Sequence, residues 1–450
     1  DRYGVSETFS GCTALKSATI SKKLATTGTG AFLNCTSLNR VTIKEGCSLI
    51  GESFFKGCTK LAAISIPSTV SSIANEAFQG CAALTSITIP DEVTEIGDRA
   101  FNGCTALTQA TIGNGVTDIG MEAFQNCTKL STVHIGDDVK TIGYRAFDNC
   151  TELSNINLTD RISAFGDRYG VSETFRGCTG LTNVVLGRRV STMGTGVFLN
   201  CTGLKSVEIH EGCSLIGETC FKGCISLEAI DIPESVTTID ESAFAGCTGL
   251  KTAVIGDGVV TIGFSAFENC KALQSADLGR NLKNIGYRAF YGCINLKEIA
   301  IPDYVTSFDN RYDVGQQFYG CKNLTKVTLG KRIASMGSEA FAACTGLQQI
   351  IIKDGCSVIA SECFNGCNDI QTITSYCEEL PTTAANAFSS YTAALYVPKA
   401  VIGLYQANEP WSKFRTIGTI EGGVPEPDNK KCAVPEITYE GGQLRLNSAT

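Results

Sequence analysis

Residues 68–90 read STVSSIANEAFQGCAALTSITIP, with apolar side chains at Val70, Ile73, Ala77, Phe78, Cys81, Leu84, Ile87 and Ile89. The last three have L-x-x-I-x-I spacing, and Ser86 and Thr88 alternate with the isoleucines. That alternation predicts a short strand with one face turned inward. A turn follows, often marked by Pro or Gly (Pro67, Pro90, Gly113, Gly136, Pro233, Pro302), then a second short extended piece of the V-T-x-I-G type. The segment after that, ending in Ala-Phe, reads as a brief helical turn.

The same pattern returns along most of the chain. Sixteen cysteines fall on one column, Cys12, Cys35, Cys58, Cys81, Cys104, Cys127, Cys150, Cys178, Cys201, Cys224, Cys247, Cys270, Cys293, Cys321, Cys344 and Cys367; thirteen of the fifteen intervals are 23 residues and two are 28. A fixed period of this length marks a solenoid, in which a coil buries its apolar face only when neighbours stack on it. Stacking then turns the L-x-x-I-x-I pieces into a parallel ladder. Gly or Asn precedes the column cysteine in fifteen coils of sixteen, Ala343 being the exception. Both residues tolerate a left-handed backbone, so this position is expected to stop the helical turn.

A longer period is superimposed. DRYGVSETFSGC at residue 1, DRYGVSETFRGC at 167 and NRYDVGQQFYGC at 310 open three related blocks, and both 28-residue intervals fall at the later two. Five extra residues therefore bulge from one coil in each of those places. Each bulge carries an adjacent Arg and Tyr, Arg168 with Tyr169 and Arg311 with Tyr312, and these residue types are enriched at protein interfaces. The plainer alternative is that the tyrosine folds back onto its coil and the arginine is solvated.

This organisation suggests a solenoid over residues 1–376, a terminal cap over 377–420 containing the only tryptophan, Trp411, and a Gly- and Pro-rich linker with a β-hairpin over 421–450. Residue 1 enters in mid-coil, so at least one further coil is expected upstream.

Composition narrows the function. Charged residues make up 18% of the chain and the net charge is −8, which lacks the basic footprint that phosphate backbones require. Nucleic acid is therefore not expected as a partner. No apolar run approaches the ~18 residues of a membrane-spanning helix. The 23 cysteines could be read as disulfides, since stacked coils bring column neighbours within bridging distance. Yet each would have two equivalent neighbours and the count is odd, so a buried ladder of small apolar thiols is favoured. Zinc would need clusters such as Cys-x-x-Cys, and none occurs. The two histidines, His134 and His210, fall on outward positions, leaving a cysteine nucleophile without a base. Four Asn-Cys-Thr triplets match a glycosylation acceptor but stand at the turn before a core cysteine. No enzyme, metal or cofactor is indicated.

L-x-x-I-x-I-P followed by V-T-x-I-G-x-x-A-F-x-G-C resembles the BspA-like leucine-rich repeat proteins of the 23-residue treponemal type. The resemblance covers about residues 1–370, through every cysteine-centred coil. It implies an α/β repeat protein: a right-handed leucine-rich-repeat solenoid with a parallel β-sheet on the concave face, short strands and helical turns on the convex side, and a C-terminal cap. It also implies an extracellular bacterial surface protein that binds other macromolecules, with members linked to adhesion to host matrix proteins and to other bacteria. The family offers no catalytic residues to carry over.

On the concave face the outward residues are mostly Ser, Thr, Ala, Asn and Gln. Glu208, Asp231, Asp277 and Glu298 add an acidic stretch, interrupted by Val254. Together with Arg168, Tyr169, Arg311 and Tyr312 these are the candidate binding residues. Two function classes remain: a non-catalytic adhesion module for a protein or glycan ligand of host or neighbouring bacteria, and a structural spacer presenting other domains. Neither the oligomeric state nor the identity of the ligand is legible.

Overall fold

The computed structural model describes residues 7–21, 28–420, 436–440 and 443–447, so the first Arg-Tyr pair lies outside the described residues. The chain divides into two compact units, Asp1–Leu227 and Glu228–Thr450. Each is a parallel β-solenoid. In the first unit Ser86–Ile89, Gln109–Ile112, Thr132–His134 and Asn155–Ile156 pair in sequence order, with Ile87 beside Ala110 and Ala110 beside Val133. In the second, the main ladder runs through Glu298–Ala300, Lys326–Leu329, Gln349–Ile352 and Thr372–Ser375 to Ala394–Val397 and Thr416–Thr419.

The V-T-x-I-G pieces form a second, narrower parallel sheet of two-residue strands. In the first unit it includes Leu49–Ile50, Ser72–Ile73, Glu95–Ile96, Asp118–Ile119, Thr141–Ile142 and Ala164–Phe165. The glycine of this motif allows the close approach of coils: a Cβ on Gly120 would lie 2.6 Å from the Gly97 carbonyl carbon.

Between the two sheets the inward residues form continuous columns. Phe78, Phe101, Phe124 and Phe147 are fully buried, their rings stacked at 5.2, 5.1 and 5.3 Å. Burial of each such side chain contributes about 1.5–3 kcal/mol, realised only because a neighbour covers it.

The segment leading to Ala-Phe is not helical, which corrects the expected helical turn. The N–H groups of Glu76, Phe78 and Gly80 donate to the carbonyls of Asp98, Ala100 and Asn102 in the following coil, at 2.8, 2.7 and 2.8 Å. Those of Ala77, Gln79 and Cys81 donate to carbonyls three residues earlier, at 3.3, 3.0 and 3.1 Å. An α-helix would direct every N–H to the fourth residue back. Here Glu76 and Gly80 both have positive φ, 58° and 72°, and these left-handed residues leave alternate peptides pointing at the next coil. The Gly or Asn before each cysteine is therefore part of a stacked-turn ladder, not a helix stop. Helix is confined among the described residues to Ile402–Ala407 and a 3-10 turn at Trp411–Lys413.

The cysteine column has a polar role that its apolar spacing concealed. Cys81 Sγ donates to the Phe55 carbonyl in the preceding coil at 3.2 Å, and Cys104 Sγ to Phe78 at 3.3 Å. That Phe55 oxygen also accepts the Cys58 N–H at 3.0 Å, so the thiol fills a second lone pair of a buried carbonyl. All 22 described cysteines are free, and Cys12 alone among them is exposed. Burial pushes the Cys127 and Cys201 thiols up to about 12.

The segment expected as a cap continues the main sheet. Ala394–Val397 pairs in parallel with Thr372–Ser375, and Thr416–Thr419 with Ala394–Val397. Trp411 and Tyr405 are fully buried beneath it, with the Tyr405 hydroxyl 2.9 Å from Ser375 Oγ. Glu436–Glu440 and Gln443–Asn447 pair as an antiparallel hairpin. No described helix is long and apolar enough to cross a membrane.

Candidate binding surfaces

Each five-residue insertion is a tight hairpin. Arg168 N donates to Val171 O at 2.9 Å and Val171 N returns to Arg168 O at 3.1 Å; Arg311 and Val314 make the same pair at 2.9 and 3.1 Å. The two central residues have positive φ in both hairpins, 56° and 81° at Tyr169 and Gly170, 55° and 63° at Tyr312 and Asp313. This is the primed-turn pattern that matches strand twist.

Tyr169 and Tyr312 sit at the tips and are 92% and 86% exposed. The guanidinium of Arg168 lies 5.4 Å from the centre of the Tyr169 ring, and that of Arg311 lies 5.6 Å from the Tyr312 ring. The tyrosines therefore project outward, against the alternative in which they fold back.

The coil before each insertion contributes a second such pair. Gly-Tyr-Arg-Ala-Phe occurs twice in the chain, at 143–147 and 286–290. The Arg145 guanidinium lies 4.9 Å from the Tyr144 ring, and that of Arg288 is 5.7 Å from Tyr287 and 3.8 Å from Tyr291. Backbone bonds from Arg145 N to Ser172 O, 2.9 Å, and from Arg288 N to Gly315 O, 3.0 Å, join each pair to the insertion coil. Sequence reasoning missed these four residues, although the repeated pentapeptide immediately upstream of both insertions was a legible signal.

The acidic candidates are less coherent. Glu208 lies in the first unit, exposed, with Oε1 3.6 Å from His210 Nδ1. In the second unit Asp231 and Asp277 share a column across Val254. Glu298 stands two residues earlier in its strand, opposite Lys326, and so belongs to the neighbouring column. It lines a shallow polar groove of about 610 Å³ with Gln274, Lys297, Lys322, Asn323 and Gln348. Among the described residues, no group of three or more His, Cys, Asp or Glu side chains could hold a metal ion.

One solved structure shares this architecture. A leucine-rich repeat protein from Bacteroides ovatus is 27% identical, with 75% of this chain and 92% of that one covered and a TM-score of 0.52. A leucine rich cell surface protein from Faecalibacterium prausnitzii is 25% identical over 80% of this chain and 79% of that one, with a TM-score of 0.32. The pneumococcal vaccine antigen PcpA is 20% identical over 92% and 90%, with a TM-score of 0.42. No curated protein matches the chain. The family described as "BspA type Leucine rich repeat region (6 copies)" matches residues 5–108, 94–228, 171–297 and 289–398. With its cysteine-centred coils, parallel ladder and this match over most of its length, the chain belongs to the BspA-type leucine-rich repeat family.

Proposed function

We propose that this protein is a non-catalytic binding module of the bacterial cell surface, recognising a protein or glycan of a host or neighbouring bacterium through its Arg-Tyr hairpins. One observation carries this reading. Tyr169 and Tyr312 are almost wholly exposed, on a left-handed backbone that favours Gly or Asn, and the ring contact of each is with its neighbouring arginine. Folding gives no reason for tyrosine there. Yet the Arg-Tyr pair occurs in all three blocks, while Gly170, Glu173 and Thr174 of the second are Asp313, Gln316 and Gln317 in the third. The acidic residues Glu208, Asp231, Asp277 and Glu298 are a secondary surface in this proposal.

The test is capture of the purified chain on immobilised host matrix proteins and bacterial surface extracts. The Tyr169→Ala/Tyr312→Ala double variant should lose capture while melting unchanged. Equal capture by both forms would remove the hairpins from the site. Absence of capture by the native chain would favour the spacer.

A further inference from the structure

The two insertion sites are internal copies offset by 143 residues, and they differ in how one arginine is neutralised. In the first unit Arg145 Nε donates to Glu173 Oε2 at 2.5 Å. In the second unit the counterpart of Glu173 is Gln316, whose Nε2 donates to Glu339 Oε2 at 2.9 Å. Arg288, the counterpart of Arg145, thereby lacks the carboxylate that its copy holds. Its contact with an acid is Glu268 Oε1 at 3.7 Å from Nη1, beyond hydrogen-bond range, and its Nε is buried with no hydrogen-bond partner. The side chain remains 29% exposed.

We propose that Arg288, set against Tyr287 and Tyr291 beside the Arg311–Tyr312 hairpin, receives a carboxylate side chain from an acidic segment of a partner protein. The first unit shows which group fits: a glutamate is held by Nε and Nη2 of Arg145, and since the Nε of Arg288 is covered, the partner's carboxylate is received on its Nη groups. A guanidinium beside aromatic rings binds carboxylates in a fixed, forked geometry. The surrounding Tyr and Arg residues are those that anchor protein interfaces. This inference rests on the hairpin reading above and names the chemistry of its partner.

The probe is a fluorescent decaglutamate peptide titrated into the full chain, with decaglutamine as control and polygalacturonate as a carboxylate-bearing glycan. Decaglutamate should bind, more weakly as salt rises. Arg288→Gln should weaken it by at least about tenfold. Gln316→Glu, made together with Glu339→Gln so that no second carboxylate faces it, should do the same while leaving the fold intact, since it supplies internally the carboxylate that Arg145 already has. Absence of decaglutamate binding, unchanged binding by Gln316→Glu/Glu339→Gln, or binding of polygalacturonate alone would each overturn the proposal. Capture on surfaces that survives Gln316→Glu/Glu339→Gln but not the tyrosine variants would leave the hairpin reading standing and sink this one. The opposite pattern would sink the hairpin reading instead.

Discussion

Arg176 grips Asp148 with two bonds, Nε to Oδ1 and Nη2 to Oδ2, each 2.9 Å, and the carboxylate is fully buried. The pair ties the first insertion coil to the coil before it, and Gln125 Nε2 adds a third bond to Asp148 at 2.8 Å. At the second insertion the counterparts of Asp148 and Arg176 are Tyr291 and Tyr319, whose rings stack at 5.2 Å and 6°. One junction is thus closed by charge and the other by aromatic contact.

Removing one partner of the buried pair should be costly. Arg176→Ala leaves Asp148 buried without its counter-ion, a loss on the order of 3 kcal/mol. The double variant Asp148→Tyr/Arg176→Tyr copies the second junction and should recover most of it. Denaturant melts together with hydrogen exchange over residues 146–178 measure both. Equal stability of Arg176→Ala and the native chain would mean the pair contributes nothing.

The buried thiols predict a pH dependence with a definite sign. Burial raises Cys127 and Cys201 to about 12, against roughly 8.5 in an unfolded chain. The folded state holds its protons longer, so this stabilisation is complete below pH ~8.5 and is lost as pH rises from there to about 12. The urea midpoint should fall across that alkaline window. A flat profile would contradict the burial of the column.

Thiol accessibility gives a separate check. Native protein at neutral pH should react with a thiol reagent at Cys12 and not at the buried column, whereas denatured, unreduced protein should titrate the described cysteines as free. Rapid native labelling of Cys104 or Cys150 would place those residues outside the core.

Ala343 occupies the position before the column cysteine at φ 57°, where the other coils have Gly or Asn. A left-handed alanine costs roughly 1–2 kcal/mol, so Ala343→Gly should raise stability by roughly 0.5–1 kcal/mol after the added freedom of the unfolded glycine is subtracted. Asp313→Gly, which restores the residue found at Gly170, should also stabilise, by less. A fall in melting temperature for Ala343→Gly would show that the turn relies on the methyl group.

Much of this structure was written in a single coil. The 23-residue period, the inward set from Val70 to Ile89, the two extended pieces and the place of both insertions follow from side-chain alternation, because a stacked coil repeats the same burial at every step. Tertiary structure decided the segment before Ala-Phe. Its alternate N–H groups bond to a coil more than twenty residues away, so a local pattern resembling a helix became a ladder of turns. Contact between coils likewise decided why the column is cysteine, since the carbonyl that its thiol meets belongs to the preceding coil. The Tyr and Arg residues of the insertions were visible in the sequence. That the tyrosines project, and that Arg145 is bonded to Glu173 while Arg288 meets Glu268 only at 3.7 Å, depended on which side chains the stacking brings face to face.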